Sequence, residues 1–148
     1  MISWKYYRDF SEFELKELYE ALKLRQDVFI IEQNCAYDDI DGLDLKSEHL
    51  MLYNKEDLAG YVRLVPAGLK FETDSIGRVV VSEKARGMGY GQMLMKKALS
   101  ILRDSNRMRA TIEAQEYLER FYSSLGFSTI SKPYDVDGIS HIKMVIYL

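Results

Sequence analysis

A chain of 148 residues with a net charge of −3, 47% of it apolar, holds enough hydrophobic surface for one compact domain spanning 1–148, and its mild acidity argues against nucleic acid as the main partner. No apolar run approaches the roughly 18 residues of a membrane span, and Asp9 and Glu12 fall where a secretion signal would be apolar, so a cytoplasmic protein with no membrane partner is expected. The single cysteine, Cys35, excludes an intrachain disulfide and is expected to be inert.

Residues 2–10 are aromatic-rich and suit a first strand. Ser11 and Glu14 have the spacing of a capping box, and Phe10 and Leu15 that of a hydrophobic staple, which predicts a helix from about Glu12. Leu15, Leu18, Tyr19, Leu22 and Phe29 recur at helical intervals and predict its buried face; Glu14, Lys16, Glu17, Glu20 and Lys23 fall on the solvated face. That helix, whole or broken in two, should end near Gln33 and Asn34.

Residues 35–47 form an acidic, turn-rich loop. Asp39, Asp41, Gly42 and Glu48 fall at calcium-loop positions, but Tyr37 occupies the first ligand position, so a solvated or substrate-facing loop is expected instead. Strand periods follow at 49–53, 59–65 and 71–81, separated by short turns, and predict an antiparallel meander. If Arg63 and Arg78 pair across its last hairpin, two guanidiniums lie together among apolar neighbours and demand carboxylates. Glu32 is the expected internal partner for one; the other would either reach water or bind an acidic group on a substrate.

Between the meander and the next helix lies the run Arg86, Gly87, Met88, Gly89, Tyr90, Gly91, Gln92. Glycines at alternate positions let the backbone approach a ligand, and the start of a helix presents unpaired N–H groups with partial positive charge. Together they suit an anion such as a pyrophosphate. A nucleotide P-loop would need Lys followed by Ser or Thr after its last glycine, and Gln92 and Met93 stand there. A dinucleotide fingerprint would need GxGxxG after an early strand, and here GxGxG falls in mid-chain. A glycine-rich turn that only reverses the chain is the plainer alternative.

A helix over 93–104 and a strand over 108–114 are predicted next. Tyr117, Leu118, Phe121, Tyr122 and Leu125 form an amphipathic helical face closed by Gly126, and strand character resumes over 127–131. Residues 134–141 read as a turn-rich connection to a last strand, 142–148. His141 with Asp135 and Asp137 has no companion Cys or His, so no metal site is expected.

The arginine-led glycine spacing resembles the acetyl-CoA loop of the GNAT acyltransferase superfamily, whose pattern is Arg/Gln-x-x-Gly-x-Gly/Ala after a strand. The run from Phe121 through Phe127 is similar to that superfamily's FYxxxGF signature, and the element order agrees over nearly the whole chain. Residues 27–35, 76–79, 114–115 and 134–141 look more particularly like the ElaA-like branch of small bacterial acetyltransferases. The resemblance implies an α/β fold with a mixed, mostly antiparallel twisted sheet flanked by helices.

It further implies acetyl-CoA as co-substrate, held by Val79, Val80 and Val81, by Arg86, Gly87, Met88, Gly89, Tyr90, Gly91 and Gln92, and by Leu118 and Phe121. The acceptor would be an amine of a small molecule or peptide; assembly is left open, with a homodimer admitted. Tyr122 would protonate the departing thiolate. For the general base the order of preference is Glu32, His141, Glu113, with Gln115 orienting and Arg63 and Arg78 facing the acceptor. The reading from another class is a CoA-binding module that senses without turnover.

Overall fold

Strand alternation organises the first half of the computed structural model, which describes residues 1–148. β1 (Ile2–Tyr7), β2 (Glu48–Asn54), β3 (Asp57–Val65) and β4 (Asp74–Val81) pair antiparallel in succession, as the meander requires. β5 (Arg109–Gln115) joins β4 in parallel, and β6 (Ser128–Thr129), β7 (Tyr134–Val136) and β8 (Ile139–Tyr147) complete a sheet of order β1-β2-β3-β4-β5-β8-β6, with β7 also on β8.

Helices cover both faces. α2 (Tyr90–Asp104) and α3 (Glu119–Ser124) pack on one side, where Leu50, Leu52, Val62, Leu64, Leu94 and Leu102 belong to a core of 20 buried residues. Gly60 permits the close approach of α2, since a Cβ there would stand 2.6 Å from Leu94 Cδ1. The alternate residues Met51, Tyr53 and Tyr61 face the other side and bury Ala21 and Leu24 of α1 (Leu15–Arg25). No helix is long and apolar enough to cross a membrane.

α1 departs from its predicted face. Leu15 is 87% exposed and Tyr19 71%, while Glu17, Ala21, Leu24 and Arg25 are buried. Charge pairing, not the apolar period, chooses the face: Glu17 takes hydrogen bonds from the Tyr7 hydroxyl (2.5 Å) and Glu14 N–H (3.3 Å) and pairs with Lys5, and Arg25 meets two aspartates. The start also shifts: Asp9 and Glu12 box a single turn at Phe10–Glu12, and Glu14 precedes α1. The helix then widens over Gln26–Glu32, where hydrogen bonds span five residues, from Gln33 N–H to the Val28 carbonyl (3.1 Å) and Cys35 N–H to the Ile30 carbonyl (3.1 Å).

The predicted connection over 134–141 is a hairpin instead. Asp137 (φ 52°) and Gly138 (φ 83°) form its two-residue turn, Asp-Gly being well suited to two successive left-handed residues, and β8 begins three residues earlier than expected.

Candidate active site

β4 and β5 pair only at Asp74 with Ala110 and Ser75 with Thr111, then diverge. β5 stays with β8 along all seven of its residues, while β4 is deflected by an irregularity opposite Tyr61 to Arg63, where Arg78 adopts a left-handed φ of 52°. That conformation is costly for a residue with a Cβ, on the order of 1–3 kcal/mol, and is held by what its side chain reaches. The gap opens a cleft of about 970 Å³ whose walls include Val79, Val80 and Val81, the end of α1's widened turn, and the β7–β8 hairpin.

Beneath one wall lies a group of three arginines and three aspartates. Arg25, 1% exposed, places Nε 3.0 Å from Asp39 and Nη1 2.8 Å from Asp44. Arg63, equally buried, donates two bonds of 2.8 Å to Asp41 and one of 2.9 Å to Asp44. Arg78 donates to the Asp39 carbonyl (3.0 Å) and to Asp41 (3.3 Å), and its Nε stands 2.8 Å from Asp39 Oδ1. Burial pushes the Asp41 carboxyl up, but Arg63, the Leu43 amide and Arg78 outweigh it and bring it to about 2. Asp44 is likewise lowered by Arg25 and Arg63 against its burial.

The acidic loop itself is exposed at Asp38 and Gly42 and lines the cleft with Tyr37, Asp38 and Asp41, while Asp39, Asp41 and Asp44 neutralise Arg25 of α1 and Arg63 and Arg78 of the sheet. These contacts overturn two expectations. No guanidinium of Arg63 or Arg78 is left over for an acid on the acceptor, because both are already matched by aspartates. Glu32 is not their partner. Its carboxylate takes two hydrogen bonds, 2.7 and 2.8 Å, from Arg86, and this guanidinium holds its carboxyl below the usual range, which weakens it as a base.

The remaining candidates divide by position. Tyr122, Glu32, His141, Glu113, Gln115, Arg78, Val79, Val80, Val81, Arg86 and Leu118 all line the cleft. Arg63 lies buried behind Arg78, and Gly87, Met88, Gly89, Tyr90, Gly91, Gln92 and Phe121 stand outside the lining. Phe121 packs edge-on against Tyr122, with ring centroids 5.0 Å apart. The Tyr122 ring is buried and its hydroxyl has no partner within the chain; burial, with a small contribution from Tyr117, pushes it up to about 12.

His141 Nδ1 lies 2.8 Å from the Ile139 carbonyl, which can only accept, so the proton sits on Nδ1 and the Nε2 lone pair is free. Gln115 pairs with His141 across β5 and β8 and donates to Gln33 Oε1 (3.2 Å). The Tyr134 hydroxyl donates to Glu113 (2.8 Å). Sequence reasoning missed Arg25, Tyr134 and Gln33. The Asp137-Gly138 hairpin signal would have placed Tyr134 opposite His141.

At the cleft's end, Gly87 and Gly89 have φ of 82° and 76°, and an added Cβ at either would meet nothing within 4 Å. Gly89 caps α2, so the first-turn amides stand without helical partners beside an open backbone face, a fit for a diphosphate. If the loop holds the diphosphate of an acyl-CoA, Gly89→Val is expected to abolish the rise in melting temperature expected on adding acyl-CoA, because the branched side chain fills that face and strains a left-handed residue. An unchanged thermal shift in a folded variant would rule the loop out as the phosphate site.

A mixed sheet split between two parallel strands, with a glycine loop at a helix start beside the split, defines the acyl-CoA-dependent acyltransferases of GNAT fold. The chain belongs to that family: the Acetyltransferase (GNAT) domain matches residues 14–148. Protein ElaA of Escherichia coli is 40% identical over 147 residues, covering 97% of this chain and 95% of its own. The crystal structure of Escherichia coli ElaA superposes with a TM-score of 0.90 at 38% identity, covering 99% of each chain. An acyl-CoA N-acyltransferase from Pseudomonas aeruginosa superposes with 0.91 at 37%, again over 99% of each. Acyl-CoA is the co-substrate that this family and fold imply.

Proposed function

We propose that this protein transfers the acetyl group of acetyl-CoA to a primary amine of a small molecule or peptide, by direct attack in a ternary complex. The observation that carries the reading is one cleft holding a partnerless phenol, Tyr122, and an imidazole with a free Nε2, His141, beside the diverging edge of β4. In the reaction a C–N bond forms, the C–S bond breaks, nitrogen loses a proton and sulfur gains one. His141 takes the proton from nitrogen, and Tyr122 donates toward sulfur. Amides of Val79 to Val81 on the unpaired edge of β4 suit the carbonyl oxygen as negative charge develops. This order places His141 ahead of Glu32 as base, since Glu32 is tied to Arg86.

The test is release of thiol from acetyl-CoA over a panel of amines, run alongside thermal shift. Thiol release that depends on the amine supports the reading. A robust acetyl-CoA shift with no thiol release over the whole panel would make the protein a CoA-binding sensor.

A further inference from the structure

The cleft's cationic side chains are largely committed, since Arg78 meets Asp39 and Asp41 and Arg86 meets Glu32. Glu113 is different. Tyr134 orients one of its oxygens through a 2.8 Å hydrogen bond, while the nearest cation to the other, Lys70 Nζ, stands 3.5 Å away without a hydrogen bond. Lys70 and the cross-strand neighbour Lys143 instead rest their ammoniums over the Phe71 ring, 5.6 and 5.4 Å from its centroid. A half-buried carboxylate is thus aimed and only loosely neutralised inside the cleft.

Its place relative to His141 gives this a meaning. Gln115 is the register partner of His141, and Glu113 lies two residues earlier on β5, so both side chains leave the same face of the sheet. Such a diagonal pair is separated by about 7–8 Å, which suits an alkyl spacer of roughly three to five carbons. Leu69, Val136 and Ile139 line the same cleft and offer apolar walls to that spacer.

We infer that the acceptor is a primary amine carrying a second cationic group three to five carbons away, with the reacting nitrogen at His141 and the second cation on the Glu113 carboxylate. This rests on the transferase reading above and names its substrate class. A charged donor on an oriented carboxylate is a strong, directional contact, and a substrate ammonium that meets Glu113 squarely displaces the looser Lys70.

The experiment compares a butane diamine, the matching monoamine and the matching amino acid at saturating acetyl-CoA. The diamine should exceed the monoamine in kcat/KM by ~10-fold or more. Glu113→Gln should remove that advantage, bringing the ratio of diamine to monoamine kcat/KM close to ~1. Lys70→Ala, a change on a partly exposed loop, should act in the opposite direction and lower the diamine KM.

Equal use of diamine and monoamine, preference for the amino acid, or slowing of all amines alike by Glu113→Gln would each overturn the assignment. If no amine releases thiol, the transferase reading fails, yet the cation site is still read directly. With CoA present, the diamine should raise the melting temperature of the unaltered protein and not of Glu113→Gln, and absence of that difference overturns the site.

Discussion

Tyr122→Phe is expected to lower turnover by ~10²-fold or more while leaving acetyl-CoA affinity nearly unchanged. The ring sits edge-on between Phe121 and Phe127, at 5.0 and 5.9 Å between centroids, and phenylalanine keeps both contacts, so the loss is confined to the hydroxyl. With that hydroxyl at about 12 and a thiol ordinarily near 8.5, full transfer of the tyrosine proton to sulfur is uphill. In the proposed mechanism its contribution is a hydrogen bond that strengthens as the thiolate develops, completed when the proton shed by nitrogen returns through the cleft. The raised value also keeps Tyr122 protonated through any working pH, so its ionisation should produce no alkaline loss of activity below about pH 11. Single-turnover thiol release would check both points; full activity with chemistry rate-limiting would remove Tyr122 from the mechanism.

How far the sequence carried the reading depends on range. Period and capping are local, so the meander, α2 and the loop from Arg86 to Gly91 were legible, because glycine spacing and alternation act over a few residues. The period misleads at α1 because Leu15, Leu18, Tyr19 and Leu22 satisfy it, while β1 offers hydrogen-bonding partners to Glu17 and the acidic loop offers them to Arg25. Asp39 reaches Arg25 and Arg78, and Asp41 reaches Arg63, across 14, 39 and 22 positions of chain, and no local pattern encodes such distances. The Glu32 to Arg86 link, over 54 positions, is of the same kind. The splay of β4 from β5 came by resemblance, and its physical origin, the Arg78 bulge, lies in a residue whose φ no pattern reveals.

Arg25→Met should lower the free energy of unfolding by about 3–5 kcal/mol, measured by urea titration. Three guanidiniums and three carboxylates balance in the group under the cleft, and removing one of its two buried cations leaves a net negative charge at the buried Asp39 and Asp44. Asp44→Asn in the same chain should recover part of the loss by restoring the balance, and the cycle of single and double variants measures that coupling.

The group also sets the acid limit of the fold. Asp41 and Asp44 are depressed, so their stabilisation is complete above the unfolded value near 4 and is lost as pH falls toward 2. His49 adds an earlier step. Burial lowers its proton affinity, its Nδ1 accepts from the Tyr61 hydroxyl (2.6 Å) and its Nε2 donates to the Asp44 carbonyl (2.9 Å), so the folded ring is neutral. The unfolded chain therefore takes up this proton first, and stability should begin to fall near pH 6.5. Arg25→Met should also raise the acceptor KM, because Asp39 also holds Arg78 and with it the bend in β4 that opens the cleft. An Arg25→Met protein with unaltered urea midpoint and unaltered acceptor KM would mean that the arginine–aspartate group neither stabilises the fold nor shapes the site.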